Sequence, residues 1–179
     1  MKAFFFDRDG TLNIDDKGYI NDPKEMHLCP SAPEVLKYLK LLEYKIFIIS
    51  NQSGIGRKLI KPEEHRKVNS KFLTLAGGYN TIDDIFYCLH SPEQSCQCRK
   101  PKTLFFDIIK EHYKIDFSKS YFVGDKITDI VCGKQVGLKT IMVDKNGVKT
   151  ENDFVFRNKK IKPDIYINTI EELLNIISE

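Results

Sequence analysis

Four short segments of the chain gather acidic, basic and hydroxyl-bearing side chains in the density that chemistry on an anion needs. Asp7-Arg8-Asp9-Gly10-Thr11 follows a Phe-rich run, Ser50-Asn51-Gln52 an Ile-rich one, and Gly124-Asp125-Lys126 follows Tyr121-Phe122-Val123. The fourth, Arg99-Lys100, closes a cysteine-rich stretch. Brought together, Asp7, Asp9 and Asp125 would raise one another's pKa values unless a cation lay among them. A hard divalent ion with oxygen ligands meets that need, and Mg2+ is the usual choice where a phosphate shares the coordination sphere. Lys100 and Lys126 would offer positive charge to the same anion. The set then suits phosphoryl transfer, in which catalysis is mostly positioning and charge neutralisation. Two other readings of Asp7–Thr11 stand beside that one. Asp-x-Asp-Gly also opens calcium loops, but those need a preceding helix and a Glu at the twelfth position, which here is Gly18. The other is a plain polar turn after an edge strand, against which the matching residues at the remaining strand ends weigh.

A second cluster is local. Cys88, His90, Cys96 and Cys98 place three thiols and an imidazole within eleven residues. A Cys3His set suits tetrahedral Zn2+, and four protein ligands leave no open position, so such a metal would be structural. The alternative is buried free cysteines beside a surface histidine, and the polar run Ser91 to Ser95 argues against burial. The loop leads directly to Arg99-Lys100, so a metal would stiffen the segment that presents both cations. Cys29 and Cys132 complete an odd total of five, which argues against a disulfide framework.

The elements that must position these groups follow from the apolar pattern. Residues 1–179 suit a single domain, large enough to bury a core without staples. Lys+Arg 28 against Asp+Glu 25 gives a charge of +3, too weak an excess to favour nucleic acid or anionic lipid. No apolar run is long enough for a membrane span or a signal-peptide core, so a cytoplasmic location is expected. Strands are predicted at Ala3–Phe6, Lys45–Ile49, Asp84–Tyr87, Tyr121–Val123, Thr140–Val143 and Asp164–Ile167. Helices are predicted at Ala32–Glu43, Pro62–Leu75, Lys102–Tyr113, Lys126–Val136 and Ile170–Ile177. Ser31 with Glu34 reads as a capping box, Val35, Leu39 and Leu42 share one helical face, and Gly137 reads as a helix stop. Alternating strands and helices imply an α/β fold, an open, doubly wound and mostly parallel sheet. In such a fold the carboxyl ends of the strands converge where ligands bind.

Phe6-Asp7-Arg8-Asp9-Gly10-Thr11-Leu12 resembles the first motif of the haloacid dehalogenase (HAD) superfamily of aspartate-nucleophile phosphatases. Ser50 resembles its second motif, Lys100 its third, and Gly124-Asp125 with Asp129 its fourth, in the family's order along nearly the whole chain. The resemblance implies that Asp7 is the nucleophile and Asp9 the general acid and base. It implies that Ser50 and Lys100 steady the phosphoryl oxygens, and that Mg2+ is held by the Asp7 and Asp125 carboxylates and the Asp9 backbone carbonyl. Asp129 is equally suited to be a brace or a ligand.

Cys98-Arg99-Lys100-Pro101 after the cysteine cluster resembles the small branch that contains heptose bisphosphate phosphatases and histidinol phosphatases. Gly18-Tyr19, Asn51-Gln52-Ser53-Gly54-Ile55-Gly56-Arg57 and Gly124-Asp125-Lys126 look more like the former. That resemblance implies removal of the 7-phosphate of D-glycero-D-manno-heptose 1,7-bisphosphate, in nucleotide-activated heptose synthesis. It also implies substrate contacts from Asp15, Asp16, Lys17, Gly18, Tyr19, Asn51, Gln52, Ser53, Arg57, Arg99 and Lys126. Arg99 suits bidentate pairing with a phosphate. A histidinol phosphatase and, more remotely, a non-catalytic zinc-stabilised binding module are the alternatives. Departures are the missing Pro and second His in Cys88-Leu89-His90-Ser91, Thr103-Leu104 where Pro-Gly often follows the third motif, and Lys17, which looks inserted. The spacing from Ser50 to Lys100 leaves no room for a large cap, so an open cleft for a phosphorylated sugar and a monomer are expected. His27, His65 and His112 are expected at surface or helix-face positions and Cys132 in the core. The basic stretch Arg157 to Lys162 is expected to be a solvated loop.

Overall fold

The alternation expected of Ala3-Phe4-Phe5-Phe6 appears in the computed structural model as a strand with every side chain buried. Phe4 and Phe6 enter the core on one side of the sheet, Ala3 and Phe5 the core on the other. The structure describes residues 1–16, 18–145, 155–156 and 159–177. Its strands are β1 (Ala3–Phe6), β2 (Lys45–Asn51), β3 (Asp84–Cys88), β4 (Tyr121–Gly124), β5 (Lys139–Val143), β6 (Val155–Phe156), β7 (Lys159–Lys160) and β8 (Ile165–Ile167). Six of them form one sheet in the order β3-β2-β1-β4-β5-β8, every pairing parallel. The helices are α1 (Ala32–Leu41), α2 (Ser53–Gly56), α3 (Pro62–Leu75), α4 (Leu104–Tyr113), α5 (Ile127–Val136) and α6 (Leu173–Ile177).

Parallel neighbours need crossovers, and these cover both faces. On one face α1 and α3 bury Val35, Leu36, Leu39, Val68 and Phe72 with Phe4 and Phe6. On the other, α4 and α5 bury Phe106, Ile109 and Cys132 with Phe5 and Phe47. Phe5 lies 5.3 Å from the Phe47 ring and 5.1 Å from that of Phe106. Its truncation to Ala would cost about 3–5 kcal/mol. Between β1 and β4 the chain reverses the direction in which it builds the sheet, which opens a crevice at the strands' carboxyl ends. Asp7, Gln52 and Asp125 stand just beyond the ends of β1, β2 and β4.

Several expectations are corrected at the margins. Helix α1 stops at Leu41, not Glu43. Glu43 adopts a left-handed φ of 61°, and the N–H groups of Glu43 and Tyr44 donate to Lys40 O and Leu39 O in a Schellman closure. Ser31 makes no capping box, because its Oγ donates to Glu171 Oε2 at 3.3 Å. Residues 170–172 form a 3-10 turn ahead of the short α6. Part of the expected loop 157–162 is strand, with β6 and β7 paired antiparallel. Arg157, Asn158 and Lys17 lie outside the described residues. Gly137 closes α5 in the left-handed region as expected. Among the described residues no helix is long and apolar enough to cross a membrane.

Candidate active site

At the end of β1 the Asp7 carboxylate is 4% exposed and fixed at one oxygen. Its Oδ1 accepts from the Arg8 backbone N–H at 2.7 Å and pairs with Lys100 Nζ at 3.0 Å. Lys100 is as deeply buried, and also reaches Asp129 Oδ1 at 2.7 Å and Ile49 O at 2.7 Å. Burial works against the ammonium, but Asp129 and Asp7 outweigh it, so the lysine pKa lies above its usual value. Asp129 takes the role of brace: besides holding Lys100, its Oδ2 accepts from the Lys126 N–H at 3.0 Å at the start of α5. Complete burial, reinforced by Asp7 and Asp125 and opposed by Lys100, pushes its carboxyl up to about 6.

Two glycines let the acids close on Asp7. A Cβ on Gly10, whose φ is +84°, would lie 2.4 Å from Asp125 Oδ2, and one on Gly124 would lie 2.4 Å from Asp129 Oδ2. Carboxylate oxygens of Asp7, Asp125 and Asp129 fall within 4.8 Å of one another. That hard, oxygen-only donor set fits a divalent cation of the Mg2+ type.

Asp9 is held from behind. Arg8 Nε donates to its Oδ1 at 3.1 Å, and Arg8 NH2 reaches Oδ1 at 2.9 Å and Oδ2 at 3.0 Å. Gln52 Nε2 also donates to Asp9 Oδ2, and to Ser50 Oγ at 2.9 Å. Burial raises the Asp9 pKa, but Arg8, Gln52 and Asn13 outweigh it and hold the carboxyl below its ordinary value.

The cysteine cluster assembles as its spacing suggests. Cys88 and Cys98 each place Sγ 3.5 Å from Cys96 Sγ, and His90 Nδ1 lies 3.3 Å from Cys98 Sγ and 3.8 Å from Cys88 Sγ. Zn–S bonds of about 2.3 Å give tetrahedral edges of about 3.8 Å, so the donors need little movement to share one ion. Burial pushes the Cys88 thiol up to about 12, and a cation would reverse that. The loop is docked at both ends: Leu89 O accepts from Gly56 N–H at 2.9 Å, and Lys102 Nζ donates to Ser95 O at 2.8 Å.

Between the two clusters lies an open cleft of about 860 Å3. Its floor carries Asp7, Asp9, Ser50 and Lys100; its walls carry Asp15, Gly18, Tyr19, Ser53, Arg99 and Lys126, with Phe156 from β6. Among the described residues a buried Arg99 guanidinium nitrogen has no hydrogen-bond partner, which leaves that donor available to an anion in the cleft.

Residues 97–173 match the HAD-hydrolase-like family model. The D-glycero-β-D-manno-heptose-1,7-bisphosphate 7-phosphatase of Helicobacter pylori is 35% identical over 159 residues, covering 86% of this chain and 90% of its own. The chain belongs to the HAD-type heptose bisphosphate phosphatase family. The D-glycero-α-D-manno-heptose-1,7-bisphosphate 7-phosphatase of Campylobacter jejuni is 33% identical over 179 residues, covering 99% of this chain and 96% of its own. A D,D-heptose 1,7-bisphosphate phosphatase from B. bronchiseptica, solved with magnesium and phosphate, superposes with a TM-score of 0.83 at 27% identity, covering 98% of this chain and 99% of its own.

Part of the expected substrate set lies off the cleft or is bonded within the protein. Gln52 does not line the cleft, because both ends of its amide are committed to Arg8, Asp9 and Ser50. Asn51 does line it, but its amide clasps the Lys100 main chain, accepting from N at 3.0 Å and donating to O at 3.1 Å. Arg57 turns outward to Glu93 at 3.9 Å, and Asp16 lies in a separate hollow beside Cys29 and Lys145. His65, expected as a surface or helix-face residue, is buried with its ring edge-on to Tyr87, and burial lowers its pKa to about 4. His27 and His112 are exposed and Cys132 is in the core, as expected. The sequence assigns no role to Arg8 or Asn69, though His65, Val68, Asn69 and Phe72 share a helical stripe whose apolar members face the core. Polar residues on such a stripe were the available signal.

Proposed function

We propose that the chain is a Mg2+-dependent phosphatase that removes the 7-phosphate of D-glycero-D-manno-heptose 1,7-bisphosphate through an aspartyl-phosphate on Asp7. The observation that carries the reading is Asp7 paired with buried Lys100, which Asp129 braces, at the floor of a cleft whose wall bears an Arg99 nitrogen with no partner among the described residues. The family names supply the heptose. A Mg2+ ion held by the Asp7 and Asp125 carboxylates and the Asp9 carbonyl would neutralise charge on the phosphoryl oxygens.

An Asp7 oxygen forms the bond to phosphorus as the bond to the sugar oxygen breaks. The electron pair leaves on that oxygen, which takes a proton from Asp9; Arg8 and Gln52 hold that carboxyl ionised in the free protein, so it takes up the proton as the anionic phosphate enters beside it. Asp9 then accepts a proton from the water that attacks phosphorus, which frees Asp7 and releases phosphate. Ser50 and Lys100 steady the equatorial oxygens through both steps. Arg99 and Lys126 pair with the second phosphate, and Asp15, Tyr19 and Ser53 border the sugar. A zinc ion held by Cys88, His90, Cys96 and Cys98 would keep the Arg99-Lys100 segment in register.

Phosphate release at saturating Mg2+ from both anomers of the bisphosphate and from histidinol phosphate tests this. Preference for one bisphosphate, abolished in Asp7→Asn, is expected. Preference for histidinol phosphate would overturn the substrate, and full activity in Asp7→Asn would overturn the nucleophile.

A further inference from the structure

In the sequence Arg8 only separates two aspartates; in the structure it is a long cation with 2% of its surface exposed. Burying a guanidinium is costly unless its donors are met, and here each nitrogen has an acceptor. Nε and NH2 face Asp9, NH2 also meets Gln52 Oε1 at 3.1 Å, and NH1 donates to Asn69 Oδ1. The cation lies 5.6 Å from the Tyr87 ring centre and 5.9 Å from that of Phe72. Guanidinium only donates, so Asn69 must turn its oxygen toward Arg8 and leave its amide nitrogen to His65, 3.0 Å from Nδ1. A line of fixed orientations therefore runs from α3 through Asn69 and Arg8 to Asp9. Of these side chains only Asp9 lines the cleft.

A buried ion pair can often be replaced by apolar groups of similar volume with no loss of stability, so stability alone is a weak reason for this one. Proton transfer requires heavy atoms about 2.6–3.2 Å apart, and a misplacement of about 1 Å can cost about 10²-fold. A carboxylate gripped at both oxygens has lost the two torsions that would misplace it.

We infer that Arg8 and Asn69 are positioning residues for Asp9: Asn69 on α3 sets the guanidinium fork, and the fork sets the direction in which Asp9 meets the leaving oxygen. The inference rests on Asp9 as proton donor. Its test uses substrates that differ in their need for a proton, heptose 1,7-bisphosphate and p-nitrophenyl phosphate, whose aryl oxide leaves unprotonated. Asp9→Asn is expected to lose about 10²–10⁴-fold in kcat/KM on the sugar phosphate and far less on the aryl ester, the comparison being made in kcat/KM because it reports transfer to Asp7 and not the later water attack that Asp9 also serves for both esters. Asn69→Leu should follow the same pattern, about tenfold on the sugar phosphate and at most about twofold on the aryl ester. Asn69→Asp, which keeps an oxygen toward Arg8, should stay near wild type, and Asn69→Leu should cost nothing further when added to Asp9→Asn. Arg8→Lys, which keeps the charge and loses the fork, should repeat the selective loss. Assays run below each variant's melting temperature keep unfolding out of the comparison. If Asn69→Leu and Arg8→Lys slow both esters equally while Asp9→Asn remains selective, positioning is overturned and Asp9 stands as donor. If Asp9→Asn is itself unselective, the donor assignment falls and the positioning role with it.

Discussion

The carboxylate centre and the cysteine loop both crowd ligand atoms within 4.8 Å, yet they are built in opposite ways. The centre draws its members from the ends of β1 and β4, from α5 and from the segment before α4, and offsets much of its charge with buried Lys100. The cysteine loop takes all four donors from one short stretch, and its lysine, Lys102, serves the carbonyls of Ser95 and Cys96 instead. One site is preorganised by the whole sheet, and under the proposed function an ion there would serve chemistry. An ion in the other would serve to hold the loop's own shape.

The sharpest way to break this contrast is Lys100→Met. It strands Asp7 and Asp129 as buried, uncompensated carboxylates, so stability should fall by about 3–5 kcal/mol. Activity should fall by at least about 10²–10³-fold. Thermal melting and phosphate release measure the two losses, and adding Asp129→Asn should recover stability without recovering activity. An unchanged melting temperature in the single variant would show that the centre does not depend on its internal cation.

Metal removal probes the other side. A zinc chelator, or Cys96→Ser with Cys98→Ser, should take zinc from one per chain to none by elemental analysis and lower the melting temperature. Activity on the bisphosphate should then fall about tenfold or more through misplaced Arg99 and Lys100. Equal metal content in wild type and variant would refute the zinc assignment.

Asp83 offers a smaller effect that calibrates both. Away from the cleft, its carboxylate ties Lys40 and Lys45, at 2.7 Å each, and accepts from the Ile46 N–H at 2.8 Å. Burial raises its pKa, but those lysines and that N–H outweigh it, so the folded value lies below the ordinary one. A lowered folded pKa stabilises fully above the unfolded value of about 3.9 and is lost as pH falls through the folded one. Asp83→Asn should cost about 2 kcal/mol at pH 7 by chemical denaturation. The gap to wild type should hold down to about pH 5 and close below about pH 4, with turnover at saturating substrate unchanged.

How much was legible in the sequence follows the same division. The cysteine loop could be read from spacing because its ligands are neighbours in the chain. The strands were legible because apolar runs such as Ala3–Phe6 end abruptly at polar residues. The acids were legible as a site because a parallel sheet must bring such ends together. What escaped was contact between distant side chains. The pairing of Arg8 with Asn69 depends on how α3 is rotated against the sheet, and the bonds of the Asn51 and Gln52 amides to Lys100, Asp9 and Arg8 depend on the same long-range packing. The β6–β7 pair escaped for a different reason, since two-residue strands carry too little pattern to detect.

Lys100, bridging Asp7 and Asp129, also bears on the order in which the protein is made. Asp7 is synthesised well before the lysine that fixes it and the acid that braces that lysine. A chain still emerging from the ribosome thus carries Asp7 without the grip that fixes it. Under the proposed function, hydrolytic competence waits for α5, and fragments that stop short of Asp129 should lack it.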